Sequence, residues 1–318
     1  MMGPFAFRDP VFHFYARIWL GLLLGSGAIL AVLALVKRGD ATVRSAFLTY
    51  RSWWMILPLM AFPLGLGRPA TIVGITILSL ACFHEFARAT GLYRDWFFTG
   101  AVFFSILCLN YMAWIRWYGM FLVLPMYAVA LLLALPVLRN RTEGMIQGAG
   151  LSIMGFLYFG WFLGHLSYLT NLKNGLPYLL FLTLAVALND VAAFTTGKLF
   201  GHRPLASRVS PRKTWGGAVG CVLVTAAVVW ALRAKLPGFG PVQLVLSALI
   251  VGVGGQLGDL VISFVKRDLG VKDLGTILPG HGGWLDRFDS LIFVSPLFFH
   301  MIAFYFERGI GLGPGGAP

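Results

Sequence analysis

Apolar residues in this chain do not alternate with polar ones. They run continuously for about twenty positions at a time, the length needed to cross a bilayer as a helix. Ten such runs follow one another, with cores near 15–36, 52–67, 69–86, 97–115, 119–138, 148–169, 176–199, 215–234, 241–264 and 290–306. In hydrocarbon the backbone must satisfy its own polar groups, so a spanning segment is a helix or part of a closed barrel. Barrel strands would show short alternating segments, which are absent here. The pattern predicts an all-α polytopic membrane protein of about ten transmembrane helices. Pro58 and Pro63 interrupt the second run, which reads as a short, tilted or re-entrant element. The first run lacks a small-residue cleavage site behind it and reads as a retained helix.

Composition agrees: 58% of the 318 residues are hydrophobic and 12% are charged. No polar stretch is long enough for a separate soluble domain, so residues 1–318 read as one integral membrane domain. Within it, 1–175 reads as scaffold and 176–306 as the catalytic part. The net charge of +13 is spread over short loops rather than gathered in a basic domain, which argues against nucleic acid. Alternate loops divide the lysines and arginines unequally, with 17 of the 25 on one side. By the positive-inside bias that side is cytoplasmic, which places both termini outside. Anionic lipid or a polyphosphate substrate would add to the bias. Cys82, Cys108 and Cys221 lie far apart in apolar runs. They show neither metal-ligand spacing nor a disulfide framework.

The first half offers little chemistry. His84, Glu85 and Arg88 read as the interfacial end of the third helix, with Glu85 and Arg88 spaced to pair. The second half changes character. Asp190 falls inside an apolar run, where a carboxylate needs a cavity or a partner. It serves function or a polar contact between helices. The loop SRVSPRKTWGG, residues 207–217, follows. Ser210 and Pro211 break the chain, Arg212 and Lys213 bring positive charge, and Thr214 can cap the next helix. Such a helix start suits a phosphate, although a positive-inside loop would carry the same charge.

The densest charge lies between residues 254 and 289. This stretch holds Asp259, Asp268, Asp273, Asp286 and Asp289, five of the twelve acidic residues, with Lys266, Arg267, Lys272, His281 and Arg287. Asp259 ends a glycine-rich helix face, and Ser263 lies one turn on. Gly280, Gly282 and Gly283 make a loop that could turn N–H groups toward an anion. Asp286 and Asp289 share a helix face, where two like charges call for a cation. Mg2+ is held by one or two carboxylates plus substrate phosphates. His281 lacks a second His or Cys for zinc and suits phosphate contact better. Carboxylates for a divalent metal and basic groups for phosphates, at one membrane face, point to phosphoryl or nucleotidyl transfer on a lipid.

The spacing Ser263, Lys266, Arg267, Lys272, Asp273, Pro279, His281, Gly282, Gly283, Asp286, Arg287, Asp289 resembles the C-terminal pattern of the phosphatidate cytidylyltransferases. GQLGD before it, and NDVAAFTTGKLFG with SPRKTWGG, are similar to that family too. The resemblance covers roughly residues 185–290. It departs at Gly216, where the family commonly has Glu, and at Trp284, where an aliphatic residue is usual. The resemblance implies CTP + phosphatidate → CDP-diacylglycerol + pyrophosphate in phospholipid biosynthesis. It implies Mg2+ on Asp259, Asp286 and Asp289, with a second, monovalent cation as an option. Asp259, Lys266, Arg267 and Asp286 would be catalytic. Asp190, Ser210, Arg212, Lys213, Thr214, Ser263, Lys272, His281 and Arg287 would bind CTP or phosphatidic acid. A homodimer in a bacterial inner membrane, with its site facing the cytoplasm, is the implied setting. The alternatives are a divergent enzyme using CTP on another lipid, including a CTP-dependent lipid kinase, and a lipid transporter or scramblase.

Overall fold

The computed structural model describes residues 3, 5–36, 41–275 and 282–306. Among them ten long helices follow the ten apolar runs: α1 Pro10–Val36, α2 Ala41–Leu66, α3 Arg68–Ala89, α4 Trp96–Trp114, α5 Tyr118–Leu138, α6 Met145–Leu169, α7 Gly175–Phe200, α8 Trp215–Leu232, α9 Pro241–Asp268 and α10 Leu285–Phe306. All but α2 are long and apolar enough to cross a membrane, so the chain is a polytopic integral membrane protein. Many of their large apolar side chains, such as Val137, Phe194 and Phe304, face outward. In water that would be costly; in lipid it is the expected surface.

Two expectations change. The second run is not short: α2 is a 26-residue helix that passes through both Pro58 and Pro63. Pro63 lies in the last turn, where carbonyls have no partner within the helix, and the Thr71 hydroxyl of α3 donates to the Pro63 carbonyl at 3.1 Å. The loop expected at 207–217 is partly an antiparallel hairpin of β1 Pro204–Ala206 and β2 Ser210–Thr214. Its strands are short and polar, so no alternating apolar pattern marks them. Pro211 is tolerated because each strand of a two-stranded sheet has a free edge.

Helix ends follow local chemistry. Asp95 caps α4 by accepting from the N–H groups of Phe97 and Phe98, and Arg139 pairs with it at 2.6 Å. Thr214 caps α8, accepting from Gly217 N at 3.2 Å as its sequence position suggested. Inside α6, Phe156–Phe162 widens into a π-helical turn, which shifts the helix face that follows it.

Helices α7 to α10 pack tightly, and the approach is set by missing side chains. A Cβ at Gly258 of α9 would lie 2.6 Å from the Asp289 carbonyl of α10. A Cβ at Gly216, at the start of α8, would lie 2.4 Å from the Phe200 carbonyl at the end of α7. Both obstacles are backbone, so the helix axes could not stay where they are with any larger residue.

Candidate active site

The polar residues of the second half gather at one end of the bundle, where α9 ends, α10 begins and the β1–β2 hairpin sits. Lys213, on β2, reaches α9. Its Nζ lies 2.7 Å from Asp259 Oδ2 and donates to the Gln256 carbonyl at 3.2 Å. Ser263, one turn beyond Asp259, donates its hydroxyl to Asp259 Oδ1 at 3.1 Å. The α9 helix thus places Asp259, Ser263, Lys266 and Arg267 in successive turns. Arg267 Nε donates to the Val209 carbonyl at 3.2 Å, tying the hairpin to α9 a second time.

The second ion pair links α9 to α10. Lys266 Nζ lies 2.9 Å from Asp286 Oδ1. Asp286 Oδ2 accepts from Leu274 N at 3.3 Å and Gly283 N at 3.0 Å. Its side chain is only 3% exposed. Asp289 follows one turn later, buried, with Asp259, Asp190 and Lys266 as its charged neighbours. Asp190 of α7 accepts from the Ser290 hydroxyl at 3.0 Å. It stays accessible although it lies mid-helix, so it has both the polar partner and the open space its position required. Next to it, Asn189 accepts from the Thr225 hydroxyl at 2.9 Å.

The remaining expected residues lie on or next to these elements. Arg212 is exposed on β2, Lys272 is exposed beyond α9, and Arg287 is exposed on the first turn of α10. Ser210 opens β2, and Thr214 ends it while capping α8. Pro279, Gly280 and His281 lie outside the described residues. The loop N–H groups expected to face an anion face carboxylates where they are described. Gly283 N meets Asp286, and the next two N–H groups meet Glu85.

Glu85 is the residue that sequence reasoning missed. It is 3% exposed, and its Oε1 and Oε2 accept from Trp284 N and Leu285 N, each at 3.0 Å. It does not pair with Arg88. A carboxylate among Cys82, Phe83 and Phe86 was the only hint in the sequence; its partner lies 200 residues away.

No three acidic, His or Cys side chains converge on one point among the described residues. Asp259, Asp286 and Asp289 thus form no preassembled three-carboxylate cluster. The donors are all hard oxygens. Two ammonium groups already sit on Asp259 and Asp286, so these carboxylates do attract cations. The donor chemistry therefore fits the metal.

Comparisons with known proteins place the chain in a family. A 41% identical stretch of 160 residues, half of this chain and 60% of the relative, is shared with the phosphatidate cytidylyltransferase of Staphylococcus epidermidis strain RP62A. The phosphatidate cytidylyltransferase of Bacillus subtilis strain 168 is 37% identical over 185 residues, 57% of this chain and 68% of its own. The uncharacterized protein YnbB of Escherichia coli strain K12 is 31% identical over 276 residues, 84% of this chain and 89% of its own. The model of the cytidylyltransferase family matches residues 48–305, a segment that holds both ion pairs and the helices that present them, and the chain belongs to that family.

Proposed function

We propose that this protein transfers the cytidylyl group of CTP to phosphatidic acid, giving CDP-diacylglycerol and pyrophosphate. The observation that carries the reading is the pair of lysine–carboxylate contacts, Lys213–Asp259 and Lys266–Asp286, at one end of a membrane bundle. A phosphatidate oxygen attacks the α-phosphorus of CTP, the bond from that phosphorus to the bridging oxygen breaks, and pyrophosphate leaves. The nucleophile is already an anion, so no general base is required. The task is to bring two polyanions together in line, and positioning and charge neutralisation supply most of the barrier reduction.

Asp259, Asp286 and Asp289 would hold Mg2+, with a monovalent cation as a second occupant. Such a metal supplies charge neutralisation at the transferring phosphoryl oxygens. Lys213, released from Asp259, turns to phosphate oxygens, while Lys266 stays on Asp286. Arg212, Arg267, Lys272, His281 and Arg287 add positive charge around them, and Ser210, Thr214, Ser263 and Asp190 complete the lining. The site would face the cytoplasm of a bacterial inner membrane, where CTP is available, and two copies would form a dimer.

The test uses purified protein in lipid nanodiscs with labelled CTP, phosphatidate and Mg2+. CDP-diacylglycerol and pyrophosphate are expected. Their absence while a related synthase works alongside would sink the reading. Release of CDP with a phosphorylated lipid would make it a CTP-dependent lipid kinase. Gly216 favours one second reading, a different lipid phosphate as acceptor. The Phe200 carbonyl fills the place that a Cβ at this position would take. A panel of lipid phosphates in the same assay separates the two acceptors.

A further inference from the structure

We propose that Glu85 is a positioning residue, a carboxylate from the N-terminal half that fixes the first turn of α10 and thereby Asp286 and Asp289. The inference rests on the proposed transfer reaction for its kinetic effect, though not for its structural one. Glu85 projects from α3 into the start of α10, where Trp284 N and Leu285 N each donate to it at 3.0 Å. Among the described residues it forms no ion pair. A buried carboxylate without a counter-charge is costly. Here the positive end of a helix and two charge-assisted bonds offset that cost.

The first N–H groups of a helix have no partner within it. Around the start of α10 the free N–H groups are divided between two carboxylates: Glu85 takes Leu285 and the preceding Trp284, and Asp286 takes Gly283 and, from the loop before it, Leu274. The surrounding backbone is shaped to Glu85. A Cβ at Gly283 would lie 2.2 Å from Oε2, and one at Gly275 would lie 2.5 Å from Oε1. Residues 275 and 283 therefore both close on Glu85, and a side chain at either would have to displace its carboxylate. Rotation or slippage of the first turn of α10 would break these bonds. The same slippage would carry Asp286 away from Lys266, and Asp289 away from Asp259.

The experiment replaces Glu85 by Gln, which keeps the shape. The amide NH2 then meets a backbone N–H, so one bond is lost with the charge. In folded, monodisperse protein, Glu85→Gln should lower kcat at least tenfold while KM for CTP changes less than threefold. Glu85→Asp should recover part of kcat, because its carboxylate can still reach one N–H. Amide hydrogen exchange over residues 284–289 should speed up in Glu85→Gln. Gly283→Ala crowds Glu85 from the other side and should reproduce both effects, which keeps the test alive should Glu85→Gln fail to fold. Wild-type kcat per folded molecule with only a lower melting temperature would overturn the proposal, as would unchanged exchange at 284–289. A wild-type protein that makes no CDP-lipid would count against the transfer reaction, and the exchange data would still decide the role of Glu85.

Discussion

Two lysine–carboxylate pairs join the elements of the site, and they differ in what else holds them. Asp286 is 3% exposed and gives its second oxygen to two backbone N–H groups, so Lys266–Asp286 is part of how α9 and α10 pack. Asp259 is 38% exposed and, apart from Lys213, has the hydroxyl of Ser263. The buried pair cannot open without uncovering charge in the bundle, and losing one partner of such a pair costs about 3–5 kcal/mol. A pair at the accessible edge contributes at most about 1 kcal/mol. Lys213 can thus leave Asp259 for a phosphate at little cost, whereas Lys266–Asp286 is the fixed part of the site.

The sharpest break of this contrast comes from Asp286→Asn. It leaves the half-buried Lys266 without its counter-charge, so both turnover and stability should fall, the latter by about 3 kcal/mol. Radiolabelled CTP turnover and unfolding in mild detergent read the two effects. Stability as in the wild type would show the pair to be no fixture. Asp259→Asn should split the effects, with turnover reduced at least tenfold and stability changed by under about 1 kcal/mol. A large loss of stability there would erase the difference between the pairs.

Gly216→Glu probes the hairpin side of the looser pair. Its side chain would start 2.4 Å from the Phe200 carbonyl, and such crowding costs about 1–3 kcal/mol. The measured melting temperature should drop, and a rise in turnover would contradict the steric reading. The smallest expected effect is Thr214→Ala. It removes the α8 cap that follows Lys213 directly, for about 1 kcal/mol. KM for CTP should rise modestly, because the strand that presents Lys213 loses one anchor.

Much of this was legible in the chain. Ten apolar runs became ten helices because hydrocarbon leaves the backbone no other local choice. Thr214 was readable as a cap because capping depends on three or four adjacent residues. The charged stretch 254–289 was readable because so many ionisable groups beside a membrane need a chemical reason. The hairpin at 204–214 was not readable, since its strands are too short and polar to show a period. Glu85 looked like the end of a helix, because its hydrogen bonds are to the backbone of residues 284 and 285 and no pattern around position 85 encodes them.

The sequence by itself determined that this is a helical membrane protein with carboxylates and cations concentrated near its C-terminal helices. Those features depend on composition and on neighbours within a turn or two. Only the tertiary structure decided that Lys213 meets Asp259, that Lys266 meets Asp286, and that Glu85 seats the first turn of α10. Each of these is a contact between separate helices or between a helix and the hairpin. Whether such groups meet depends on how closely the backbones approach, and here glycines at 216, 258 and 283 set that distance.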